Sequence, residues 1–167
     1  MGGFLSSGGK PAIDIEIAVE SGGWASETAL LTLAERAIGA VVSMIALESQ
    51  QGGAVSLLFT DDTAIQVLNR EWRGKDKATN VLSFPAPEMI VPGAELPPLG
   101  DIILAFETIA REAVDERKPF DHHLTHLIVH GFLHILGYDH ETDGEAEEME
   151  DLERKVLQTL AIHDPYA

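Results

Sequence analysis

Four of the chain's seven histidines fall within "HLIVHGFLHILGYDH", from His126 to His140. Imidazoles bind metals and carry protons, so their spacing decides which chemistry is open to them. His130 and His134 are four residues apart, and on a helix they project from one face about one turn from each other. Gly137 tolerates the left-handed backbone that ends a helix, so the chain beyond it can fold back and bring His140 to the same point. Three imidazoles then hold one ion and leave a fourth position open, the arrangement of a catalytic zinc whose bound water is acidified toward neutrality. The expected centre is one zinc ion on His130, His134 and His140, at the end of a helix carrying H-x-x-x-H-x-x-x-x-x-H. A metal-free reading, in which the histidines only satisfy core hydrogen bonds, accounts for a pair at this spacing far better than for a third beyond a glycine turn. His126, one turn earlier on the same face, reads as a group that supports a ligand or contacts substrate. His122 and His123 at the helix start, and His163 near the end of the chain, read as solvated.

The same spacing occurs in the metalloprotease pattern H-E-x-x-H-x-x-G-x-x-H. In that pattern the Glu is the general base, and here its place is taken by Gly131. Asp139 or Glu141 would have to substitute, so peptide hydrolysis is disfavoured. Asp139, flanking a ligand, is the candidate catalytic carboxylate, with capping the turn or orienting a ligand as its other possible roles.

A second group of residues could handle an anion. "REWRGKDK", from Arg70 to Lys77, holds four of the 11 basic residues of a chain with 28 acidic ones. Arg73, Lys75 and Lys77 offer a planar fork and two compact charges suited to phosphate oxygens. The net charge of −17 argues against a broad nucleic-acid surface. One basic strip on an acidic protein still allows local phosphate binding. The eight acids and no base between Glu141 and Glu153 read as a solvated helix face, with docking of a basic partner as the alternative.

These side chains need elements to hold them. "IDIEIAV" alternates apolar and acidic residues, the period of a half-buried strand. Ser26 to Glu48 reads as a helix with Ser26 as N-cap, Gly52 to Thr60 as a buried strand, and Asp61 or Asp62 as the cap of a short helix ending at Gly74. Thr79 to Pro85 and Leu99 to Glu107 read as strands around a proline-rich loop, Ala86 to Pro98. A helix stopping before Pro119, the histidine helix from about Phe120 to Leu136, and a last helix capped at Asp143 complete the chain. The expected fold is α+β (mixed α/β): one domain over residues 12–167, with about four strands in a mixed sheet packed by helices, after a flexible leader over residues 1–11.

The 167 residues, 45% hydrophobic, suit a single core. The chain has no cysteine, which excludes disulfides and thiolate metal sites and fits a reducing, cytoplasmic setting. The least charged stretch, Ala37 to Leu47, falls short of the ~20 apolar residues a bilayer requires, so no membrane span is expected. The leader carries no signal-peptide pattern; Gly2 followed by Ser6 fits only the loose myristoylation pattern.

"HGFLHILGYDH" resembles the signature of the YbeY family of bacterial metal-dependent endoribonucleases, and "WRGKDKATNVLSFP" followed by "LGDIIL" is similar to that family's second block. The resemblance runs from about Ile13 to Tyr166 and includes the acidic helix. It implies His130, His134 and His140 as zinc ligands and Arg73 as the basic residue of the metal cleft. It further implies a single-strand-specific endoribonuclease that matures ribosomal RNA, notably the small-subunit 3′ end, and acts in ribosome quality control. The implied partners are precursor ribosomal RNA and the small subunit or its assembly proteins, with neither DNA nor a membrane. Trp72 stands where the family usually has Tyr, and Ala78 where it often has Pro. A ribosome-assembly binding factor with a structural zinc and a zinc hydrolase of another substrate are the rival expectations.

Overall fold

The computed structural model describes residues 13–45, 52–86 and 98–166. The expected leader with its myristoylation pattern, the C-terminal end of the first helix and most of the proline-rich loop lie outside them. The elements run β1 (Ile13–Val19), α1 (Glu27–Ile45), β2 (Gly53–Thr60), α2 (Asp62–Arg73), β3 (Val81–Pro85), β4 (Pro98–Ala105), α3 (Phe106–Asp115), α4 (Phe120–Ile135) and α5 (Asp143–Thr159). The sheet order is β1-β2-β4-β3. β1, β2 and β4 run parallel and β3 is antiparallel at the edge, a mixed sheet as expected.

Alternation along the strands splits the apolar residues between two faces. Val55, Leu57, Phe59, Ile102 and Leu104 pack into the main core with α1, α4 and α5. Ile103 and Ala105 turn the other way, toward Ile65 of α2. By length and composition α1 could cross a membrane, with a mean hydropathy of 1.5. This corrects the expectation that no segment reaches that length. In the fold its stripe of Leu30, Ala34, Ala37, Ile38 and Val41 is buried in the core.

Local caps explain where the elements begin and end. Asp61 accepts a hydrogen bond from Ala64 N at 2.8 Å, and Gly74 ends α2 in the left-handed conformation at φ 70°. The last helix is capped by Thr142 rather than Asp143: Thr142 and Glu145 form a reciprocal capping box, and Asp143 is the first helical residue.

α4 is the element that carries the site, and it is enclosed on most sides. Leu124, Ile128, Val129, Phe132 and Leu133 are each at most 1% exposed. Each such side chain adds about 1.5–3 kcal/mol on burial, so the helix is a rigid platform. His123 belongs to this buried set at 3% exposure, which corrects its expected solvation. α3 packs across the start of α4 and brings Glu112 within 2.8 Å of His123 Nε2. Burial holds the His123 pKa below its ordinary value, against the pull of the Glu112 hydrogen bond.

Gly131 has a packing explanation. A Cβ at this position would lie 3.1 Å from Ile102 Cγ2 on β4, so a side chain here would point into the sheet. Gly131→Glu would therefore bury a carboxylate in the core without restoring a protease base. We expect it to destabilise the fold by about 3 kcal/mol or more, read as a lower thermal midpoint, with no casein hydrolysis gained.

Candidate metal centre

Along α4 the side chains of His126, His130 and His134 share the one strip left open by the core packing, at intervals of four residues. The helix then closes in a Schellman turn: Tyr138 N donates to Leu133 O and Gly137 N to His134 O, both at 3.0 Å. Gly137 sits at φ 105°, where a side chain is strained. Asp139 Oδ1 accepts from His140 N at 2.7 Å and fixes the residue that follows. The turn thus delivers His140 to the helical pair.

One nitrogen from each of His130, His134 and His140 lies within 4.8 Å of the others. The ring centroids are 4.8 Å apart for His130 and His134, 5.0 Å for His134 and His140, and 6.0 Å for His130 and His140. Three neutral imidazoles around a shared point, with no thiolate in the chain, suit a borderline divalent ion such as zinc. Burial, reinforced by the neighbouring His130 and His140, holds the His134 pKa below its ordinary value, which favours the neutral form a metal requires.

The donor set has a support that the sequence reading missed. Charge alone places Glu153 among the solvated acids of α5, but it is 0% exposed. It shares a helix face with the buried Met149, Val156 and Leu157, and that i, i+3, i+4 pattern was the available signal. Its Oε2 lies 3.2 Å from His130 Nδ1, and its Oε1 lies 2.6 Å from His126 Nε2. Tyr166 donates its hydroxyl to Oε1 at 2.9 Å. Burial alone would raise the Glu153 pKa, but the hydrogen bonds from His126 and His130 outweigh it and hold the carboxyl at about 2. Burial and the adjacent Glu153 charge push the Tyr166 phenol well above its ordinary range, so it stays a neutral donor.

The histidines line a cleft of about 770 Å³ between α4, the turn after it and the strip leading into β3. Arg73, Lys75 and Lys77 line the same cleft, together with Asp139, Glu141 and Tyr166. The two sequence motifs, more than fifty residues apart in the chain, therefore face one space. Asn69, fully internal, holds the basic strip in place: its Nδ2 donates to Lys77 O at 2.9 Å, and its own carbonyl accepts from Lys75 N at 3.2 Å. The side chains of Arg73, Lys75 and Lys77 are exposed and make no ion pair with any described residue. That leaves them available to an anion. His126 lines the cleft too, but its Nε2 is committed to Glu153 and its Nδ1 is buried without a partner.

Similarity to known proteins extends over nearly the whole chain. The model of the family described as Endoribonuclease YbeY matches residues 17–161. A protein of that name from a Chelativorans species is 54% identical over 95% of this chain and 96% of its own length. One from Rhizobium meliloti is 51% identical over 93% of this chain and 95% of its own. The solution structure of a Thermotoga maritima protein shares the fold at a TM-score of 0.53 and 25% identity, covering 88% of this chain and 91% of that one.

Proposed function

The chain belongs to the YbeY family of endoribonucleases, and from that premise we propose that it is a zinc-dependent hydrolase cutting single-stranded segments of ribosomal RNA precursors. The observation that carries the reading is the shared cleft, in which a three-histidine centre faces a basic strip. A bound zinc ion would supply Lewis acidity and acidified water. The residues of the chain do the rest. Arg73 holds the phosphodiester by its guanidinium fork and stabilises the charge that grows on it. Lys75 and Lys77 take neighbouring phosphates of the strand. Asp139 keeps His140 in place through one oxygen and offers the other as a proton acceptor.

An acidic chain with one basic groove binds a strand only along that groove, which suits an unpaired segment threaded past the metal. The proposal extends to maturation of the small-subunit RNA 3′ end and to ribosome quality control in the cytoplasm, alongside the small subunit or its assembly proteins. The test is a parallel assay of one RNA sequence as a single strand and as a duplex, with casein as a third substrate. The expected result is cleavage of the single strand alone; equal cutting of the duplex, or hydrolysis of casein, contradicts the proposal.

A further inference from the structure

We propose that Glu153 is the positioning residue of the metal centre: it sets the tautomer and ring orientation of His130, and His126 and Tyr166 exist to lock it in place. The inference rests on the reading of His130, His134 and His140 as metal ligands. Glu153 is a wholly buried carboxylate among Met149, Val156 and Leu157 on α5. Burying a charge there is costly unless donors surround it. Three do, and their distribution is informative. His126 Nε2 and the Tyr166 hydroxyl both act on Oε1, at 2.6 and 2.9 Å, whereas Oε2 has His130 Nδ1 as its partner, at 3.2 Å. A network whose purpose was only to tie α5 to α4 would be complete with the first two bonds. The third aims the remaining oxygen at a metal ligand.

An ionised carboxylate only accepts hydrogen bonds, so the proton of His130 is held on Nδ1 and the lone pair on Nε2. Nε2 is the nitrogen left to face the cleft. Fixing the far nitrogen in this way orients the ring and makes the ligating nitrogen more basic. Among the described residues His130 is the one ligand of the three whose ring is hydrogen-bonded to a carboxylate. The support is itself braced. The Tyr166 ring packs edge-on against His126 at 5.8 Å, and Arg154 lies 5.5 Å over the same ring while its Nε pairs with Asp164 at 3.2 Å. The end of the chain is thereby drawn onto the histidine helix beside the cleft. His126 is thus assigned the first of its two expected roles, support of a ligand.

Two measurements test this. In metal-free wild-type protein, at a pH where the ring is neutral, nitrogen NMR of His130 should show the proton on Nδ1; a neutral ring protonated on Nε2 overturns the proposal. In the second, zinc affinity is read by chelator competition. Glu153→Gln presents an amide N–H or a weaker acceptor to His130 and should loosen zinc binding by about 10–100-fold. Tyr166→Phe, which removes one lock on Oε1 but leaves the Oε2 contact intact, should loosen zinc binding by less than Glu153→Gln does. Zinc bound by a folded Glu153→Gln as tightly as by wild type overturns the assignment. If that variant fails to fold, the wild-type NMR measurement still decides. The two readings also fail separately: wild type that binds no zinc sinks the metal centre, whereas the His130 tautomer is read without any metal.

Discussion

His134→Ala is expected to leave a folded protein that has lost its metal and cuts single-stranded RNA at least about a thousand-fold more slowly, because metal-assisted activation supplies several kcal/mol of barrier lowering. His134 is the middle histidine of the triad, closest to both partners by ring centroid. Its side chain faces the cleft rather than the core, so truncation opens no cavity among Phe132, Leu133 and Ile128. His130 and His140, ten residues apart in the chain, remain, and a pair alone is a poor site for a hydrolytic ion. Metal analysis and unfolding curves on the same preparation separate loss of the ion from loss of the fold. Retained cleavage with no metal bound would remove the metal from the mechanism.

Arg73→Ala carries the second largest expected effect, a fall in kcat of about 10²–10³-fold with metal content unchanged. The reason is position. Gly74, at φ 70°, ends α2 so that Arg73 stands at its last turn, lining the same cleft as the histidines. Its guanidinium makes no ion pair with a described residue, so removal costs little stability. A loss confined to KM would assign Arg73 to general binding of the strand. Arg73→Lys, which keeps the charge but not the planar fork, should recover part of the lost rate.

The histidine triad that could hold a metal was legible because its spacing is local. H-x-x-x-H is a property of one helix, and Gly137 marks the turn that delivers His140. The sheet was legible for a similar reason: "IDIEIAV" alternates, and β1 does present Ile13, Ile15 and Ile17 to the core with Asp14 and Glu16 exposed. Glu153 was not legible from charge alone. In a run of eight acids it looks like its solvated neighbours, and only its placement among Met149, Val156 and Leu157 distinguishes it. His123 failed for the opposite reason: its solvent exposure depends on α3, a separate element that packs Glu112 against it. The absent protease Glu could be read as a fact at Gly131, but its physical reason, close contact with Ile102 on a distant strand, required the fold. Pairing of the basic strip with the metal site likewise depends on how β3 and α4 pack.

The most direct test of a zinc-dependent cleavage is a titration of metal-stripped wild-type protein with zinc, following ion content and cleavage of single-stranded precursor RNA together. Cleavage should be absent in the stripped protein and rise in step with binding of one ion per chain, reaching its plateau at equivalence. Full cleavage by stripped protein, or no recovery when the ion is bound, would contradict it.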